Sequence, residues 1–518
     1  MTRSALREHR PRALRIAVMA AIIVALTGFG QALAQGDTIR IATSLGQNSL
    51  APGEATGLPD ATVIRTMFEG LVGFTDGALV NELASSWEAN EDATAYTFEL
   101  QQGVTFHDGT PFNAQAVKDY YDWVMDESSI AARARGLLAA MTSVDVVDEY
   151  TVRINLSGPN GAFIFLLATS NARIASPASV AEFGADLTRH PVGTGPFRFV
   201  SWTEGQNVIV ERNPDYWGDP AEIERLEFVV VTNAATRVAM LQSGEVQYIE
   251  ALPPQLVATI EAAPNLDVLA GPTNFLRILQ LNTTKAPFDD VRVRQALNYA
   301  VDKQVLADVA YSGFATVMTA PIPASAFGHA EQPAYDYDPE RAKALLTEAG
   351  YGDGFTFTVL TFTGDEYRMG GQVLQQMFSQ VGLNMILDQQ ERGALVDQIF
   401  LPADENPTEA ALVGASASTS DADLALTTSF ARQSFPPASN NWSFFTNDRV
   451  EELLAAGRAT GDPASRQDAY AEAEAIIWEQ APWVFLVSPD SIAGRAANVS
   501  GVVAAPDNTI DARRAKFD

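Results

Sequence analysis

Met67-Phe-Glu-Gly-Leu-Val-Gly-Phe74 sets apolar side chains around two glycines and a single carboxylate. Glu82-Leu-Ala-Ser-Ser-Trp87 and Val104-Thr-Phe-His-Asp-Gly-Thr-Pro-Phe-Asn-Ala114 come next, followed by Pro191-Val-Gly-Thr-Gly-Pro-Phe197 and Asn213-Pro-Asp-Tyr-Trp-Gly218. Their glycines are expected to permit tight turns at positive φ, while Trp87, Phe106 and Trp217 supply large apolar area for a core. Around these blocks the chain moves between two periods. Thr38–Ala42, Tyr96–Leu100, Thr151–Leu156, Asn207–Glu211, Arg225–Val231 and Phe355–Leu360 read as strands, with inward and outward side chains alternating. Asp290–Ala307 reads as one helix, with an acidic first turn and Val293, Leu297 and Val301 on one face. Pro339–Ala349 reads as a helix stopped by Gly350, and Arg449–Ala459 and Ala464–Trp478 as two more amphipathic helices. The chain is mixed α/β. No repeat and no low-complexity linker marks a domain boundary.

Length and charge narrow the function. At 518 residues the chain has room for two to four domains. Its 34 Lys and Arg against 64 Asp and Glu give a net charge of −30, which argues against a nucleic-acid binder, since that needs a basic face. The absence of cysteine excludes disulfides, thiolate catalysis, zinc fingers and iron–sulfur clusters.

The first 34 residues are of another kind. Arg3, Arg7, Arg10, Arg12 and Arg15 precede an apolar run from Ile16 to Phe29, and Ala32-Leu33-Ala34 offers a small-x-small cleavage site. This is the pattern of a secretory signal peptide; the run falls short of the roughly 20 residues that a membrane-spanning helix needs. Lacking a cysteine to carry a lipid, the mature chain is expected in the periplasm, free of a lipid anchor.

A search for reaction chemistry returns little. There is no G-x-S-x-G elbow, P-loop lysine motif or H-E-x-x-H. Gly193-Thr-Gly195 lacks the third glycine of a dinucleotide fingerprint, and Pro196 spoils it further, so a tight turn is expected. His107, His190 and His329 stand far apart, which points to local hydrogen bonding in place of a metal or catalytic role. No catalytic residue, cofactor or metal is expected. Composition favours a secreted acidic binding protein over an enzyme.

The five blocks above resemble, in order and spacing, the family 5 solute-binding proteins of peptide-type ABC importers. Met240-Leu-Gln-Ser-Gly-Glu245, Pro287-Phe-Asp-Asp-Val-Arg-Val-Arg-Gln-Ala-Leu297 and Ala342-Lys-Ala-Leu-Leu-Thr-Glu-Ala-Gly350 extend the likeness over the mature chain. The resemblance implies a type II-like periplasmic binding protein, with two lobes around a hinge and an extra appended α+β domain. It would place 35–68, 192–273 and 484–518 in a discontinuous first lobe, 69–191 in the appended domain, and 274–483 in the second lobe. Closure would bury a small peptide-like ligand and create a surface read by inner-membrane permease subunits with cytoplasmic ATPases, the receptor itself being a monomer.

The resemblance also locates specificity, around Ala411 to Phe430. Peptide binders of the family carry there a Trp and, three residues on, an Asp that takes the peptide ammonium; this chain has Ala415 and Ser418. Ser418-Thr-Ser-Asp-Ala-Asp423 is closer to the glutathione-binding branch, as are Ser434–Asn441 and Ile476–Trp483. Ser418 and Thr419 are candidates to donate to a ligand carboxylate, or to cap a helix beginning near Asp421. Asp421 and Asp423 are candidates for an ammonium or for structural pairing. Arg368, just before a helix ending near Val381, is a candidate for a ligand carboxylate or a solvated surface arginine. Trp442 would wall the cleft or join the core, and Arg65 would face the ligand from the first lobe. Other oligopeptides, opines and oligosaccharides stay open as ligands, as does a different class, an extracellular carboxylate-based hydrolase. Nickel is disfavoured because no histidine follows His329.

Overall fold

The computed structural model describes residues 38–75 and 77–518. The signal-peptide reading of residues 1–34 lies outside them. Ile39–Asp518 forms one unit, organised by three sheets. The largest has seven strands in the order Leu266–Gly271, Ser491–Ala496, Tyr248–Ile249, Thr38–Thr43, Arg225–Val230, Asn207–Arg212 and Phe197–Thr203. The second has six: Ala315–Val317, Trp483–Pro489, Phe275–Leu281, Ala410–Ser416, Thr356–Phe362 and Asn384–Gln390. A four-stranded antiparallel sheet is built from residues 84–89, 95–100, 151–156 and 141–148. The chain leaves the seven-stranded sheet after Gly271 and returns to it at Ser491. Trp483–Pro489 bonds into the six-stranded sheet, with Gln280 opposite Trp483 and Arg277 opposite Val487. The return crossing therefore falls at Asp490, not at the expected 483/484 boundary. Both crossings lie side by side: Thr273 Oγ1 donates to the Pro489 carbonyl at 2.7 Å, and Ser488 Oγ to the Phe275 carbonyl at 2.8 Å.

The sequence blocks converge on Glu69. Its buried carboxylate accepts from Thr194 Oγ1 at 2.8 Å, Tyr216 Oη at 2.7 Å and Trp217 Nε1 at 2.8 Å. Burial, reinforced by the nearby Glu82 charge, pushes Glu69 up to about 7. Glu82 pairs with Arg173 at 3.0 Å and with Arg513 at 3.0 Å, which hold it below its ordinary range against the opposing effect of burial. Gly109 takes the expected positive φ, 83°, but Gly193 and Gly195 do not and serve another purpose. A Cβ on Gly193 would collide with the Met67 carbonyl, and one on Gly195 would come within 2.8 Å of it. Close backbone approach is what excludes a side chain there. His107 bonds to the same turn, its Nε2 lying 3.0 Å from the Gly195 carbonyl oxygen, and burial lowers it to about 4.

The expected strands form with edges moved by a residue or two. Asp290–Ala307 instead divides into Val291–Tyr299 and Lys303–Tyr311. The cause is Asp302, whose side chain accepts from the Val305 amide at 3.0 Å and so caps a second helix. The helix Pro463–Gln480 carries Glu474 wholly buried, with neither carboxylate oxygen hydrogen-bonded. Burial pushes this carboxyl well above its ordinary range. A raised folded pKa means the native state keeps a proton that the unfolded chain releases, so stability falls as pH rises beyond the ordinary carboxylate range. Glu474→Met is expected to stabilise the protein at both pH values, by more at pH 8 than near pH 4, because only at the higher pH must folding also take up a proton or bury a charge. Urea unfolding at both pH values checks this; equal effects at the two would mean Glu474 is not the titrating group.

Candidate functional site

Two adjoining cavities, of about 450 and 260 Å³, lie where the three sheet-based parts meet. Both are lined by Arg65, Phe74, Ser418 and Asp507, so they form one cleft. Each wall has a local cause. The helix Leu58–Met67, with proline in its first turn, carries Arg65 in its last turn. The strand Ala410–Ser416 runs in the six-stranded sheet and spills into the turn 417–420. That turn is held by Asn274, whose Nδ2 donates to Ser420 Oγ at 2.9 Å, and by the Phe327 amide bonding to the Ser420 carbonyl at 2.9 Å. Ser420 takes φ 54°, an uncommon conformation for a residue with a side chain. Asp421 then caps the helix Ala422–Phe430 by accepting from the Asp423 amide at 2.9 Å. The cap is therefore Asp421, and the hydroxyls of Ser418 and Thr419 are left to the cleft.

Arg65 is the dominant charge of the cleft. It is 3% exposed; Nη1 donates to Thr509 Oγ1 at 2.8 Å and Nη2 stands 3.9 Å from Asp507 Oδ2, while Nε has no partner. Across from it, Thr419 Oγ1 is buried without a partner. Buried polar atoms are normally paired, and here an unpaired one stands on a lining residue of each wall. Arg133 adds a second guanidinium at the cleft, and Asn171 a side-chain amide. The carboxylates are partly engaged: Asp507 uses Oδ1 and leaves Oδ2 only the 3.9 Å contact to Arg65. Asp507 accepts from the Thr509 amide and hydroxyl at 3.0 and 2.6 Å. Asp511, despite burial, is held well below its ordinary range by Arg513.

Of the seven residues singled out from the sequence, Arg65, Ser418 and Thr419 come together on this cleft. Asp421 is fully buried and receives Arg466 Nη2 at 2.9 and 2.8 Å, burial pushing it up to about 6 against that pull. Asp423 receives Arg458 at 2.9 Å. Both are structural ion pairs beneath the turn. Arg368 lies inside the helix Asp365–Gln380, not before it, and makes a solvent-exposed pair with Asp365 at 2.9 Å. Trp442 stacks edge-on against Phe400, centroids 5.3 Å apart, within a core cluster outside the cleft lining. Asp507, Thr509, Asn274 and Arg133 were missed. The first two lie near the C-terminus and carry no local motif beyond Asp-x-Thr, a pattern too common to single out.

Residues 78–437 match the family described as bacterial extracellular solute-binding proteins, family 5 Middle. The chain is 36% identical over 468 residues to the glutathione-binding protein GsiB of Pectobacterium atrosepticum, covering 89% of this chain and 90% of that one. Among solved structures, HbpA2 from Haemophilus parasuis superposes with a TM-score of 0.84 at 28% identity, over 93% of this chain and 100% of that one. The periplasmic binding protein DppA from Helicobacter pylori, in complex with the peptide STSA, gives 0.74 at 28% identity, over 93% and 98%. No helix among the described residues is long and apolar enough to cross a membrane.

Proposed function

Given that this chain belongs to the family 5 bacterial extracellular solute-binding proteins, we propose that it captures glutathione or a related short peptide in the cleft around Arg65 and delivers it to an ABC permease. The observation that carries the reading is the pairing of a buried, incompletely bonded guanidinium with an unpartnered Thr419 hydroxyl across one cavity. Glutathione is a γ-linked tripeptide with two carboxylates and one ammonium. Arg65 and Arg133 suit the carboxylates, because a guanidinium fork matches carboxylate geometry. Ser418 and Thr419 supply hydroxyl donors, and Asp507 is the carboxylate of the cleft that an ammonium would meet. Lobes built on the seven- and six-stranded sheets would close about the paired crossings at 271–275 and 489–491, with 69–191 appended to the first.

Thermal unfolding of the ligand-stripped protein tests the assignment. A ligand at 100 times its Kd stabilises by about 2.7 kcal/mol. Glutathione is expected to raise the midpoint and α-Glu-Cys-Gly, with the ordinary peptide linkage, is not. A shift with the α-linked peptide alone would discard glutathione and leave a general peptide receptor. Ser418→Ala with Thr419→Val is expected to reduce the glutathione shift by more than half.

A further inference from the structure

A third cavity, of about 370 Å³, lies on the other side of the C-terminal segment 504–510. That segment stands between them: Asp507 and Thr509 line the Arg65 cleft, Asn508 and Ile510 line the third cavity, and Leu58 and Ala504 touch both. The two compartments differ in charge. The Arg65 cleft is lined by Arg65 and Arg133 together with Asp507 and Asp511, but the third cavity is lined by Glu250, Glu366 and Asp490 and by no lysine, arginine or histidine. Two of these carboxylates are engaged. Glu250 Oε1 accepts from the Ser44 amide and hydroxyl, at 2.6 and 2.7 Å, and Glu366 Oε1 from Arg277 Nη2 at 2.8 Å. Asp490 is half-buried, and no cation pairs with it among the described residues; burial alone raises it.

Two further atoms await a partner. Tyr248 is fully buried and its Oη makes no hydrogen bond; it stands two residues before Glu250, on the same side of an extended segment. Asn508 Oδ1 is likewise buried and unbonded, on a residue held at φ 63°. Apart from Ser44 and Ser491, the rest of the wall is apolar and aromatic, including Tyr311 and Phe314. A compact metal ion does not suit this wall, since no three carboxylate or histidine groups among the described residues converge as metal ligands. A group with three donors, no acceptor and an apolar stem suits it. That is a primary alkylammonium, whose head is drawn to carboxylates and aromatic faces while its chain covers apolar surface.

We infer that the cavity bounded by Asp490, Tyr248 and Asn508 binds a primary alkylammonium group, independently of the Arg65 cleft. The group would arrive either as a free amine or as the side chain of a lysine-containing peptide. Isothermal titration of the full mature protein with n-pentylammonium and 1,5-diaminopentane, with n-pentanol as the uncharged control, tests this. Saturable binding of the amines but not the alcohol is expected, weakened at least tenfold in Asp490→Asn and severalfold in Tyr248→Phe. Both substitutions are nearly isosteric, and circular dichroism melts confirm that each variant folds. Tyr248→Phe is expected to bind glutathione as wild type does, so failure here leaves the cleft assignment standing, and the reverse. Acetyl-lysyl-alanine against acetyl-norleucyl-alanine distinguishes a peptide source from a free amine. Equal amine affinity in Asp490→Asn, loss of amine binding when glutathione saturates the cleft, or no saturable binding would each overturn the inference.

Discussion

Arg65→Met is expected to weaken binding of the cleft ligand about 100-fold while leaving the unliganded protein folded. The two parts have separate causes. In the free protein Arg65 is bonded to Thr509, whose hydroxyl keeps its own bond to Asp507 Oδ1, and is only loosely opposed by Asp507, whose side chain is 32% exposed to water. With a carboxylate bound, Arg65 would be a desolvated charge paired with a desolvated charge. Truncating one member of such a pair costs 2–5 kcal/mol, and about 2.8 kcal/mol is the 100-fold stated here. Arg65→Lys keeps the charge but not the fork, and is expected to recover only part of the loss. Titration calorimetry with glutathione measures both variants. An unchanged Kd in Arg65→Met would remove this residue from the site.

The second large effect is on stability. Asp421→Ala is expected to destabilise the six-stranded unit by about 3–5 kcal/mol, because it strands the Arg466 charge in the interior. Arg466 is 3% exposed, lies over the rings of Phe327 and Tyr470, and has the Gly457 carbonyl as its remaining backbone acceptor. The same change removes the cap of the helix Ala422–Phe430, an additional loss of about 1 kcal/mol. Asp421→Ala combined with Arg466→Leu is expected to regain most of the stability, since a neutral apolar pair carries no desolvation cost. Urea unfolding curves of the single and double variants decide it. If Asp421→Ala were nearly as stable as wild type, Asp421 would not be serving the pair.

How far the sequence could be read depended on whether the deciding force was local. Strands such as Thr151–Leu156 were legible because alternation is set by the backbone, whatever packs above. The helix break at Asp302 was misread because an aspartate on the polar face of a long helix and an aspartate capping a second helix look alike in sequence. The glycines of Gly193-Thr-Gly195 were visible, but their reason was not: the Met67 carbonyl that excludes a Cβ there is more than a hundred residues away. The turn at Ser418 and Thr419 was found through family likeness, since its departure from the peptide-binder pattern could be seen residue by residue. Asp507 and Thr509 reach the same cleft only by tertiary folding. Arg458 and Arg466 take up Asp423 and Asp421 for that reason also, and nothing near those aspartates in sequence announces it.

Because Thr273 and Ser488 join the two crossings, residues 274–489 leave and re-enter the rest of the chain almost at one point. Seen as gene architecture, this stretch is an insert with touching ends. Removing it would open a gap that a very short linker closes at little entropic cost, and placing another folded unit there would demand only that its own termini be neighbours. The turn 417–420 and its supporting helices lie wholly within the insert, while Arg65, Asp507 and Thr509 belong to the frame that receives it. One half of the cleft can therefore be exchanged as a cassette without a single break in the other.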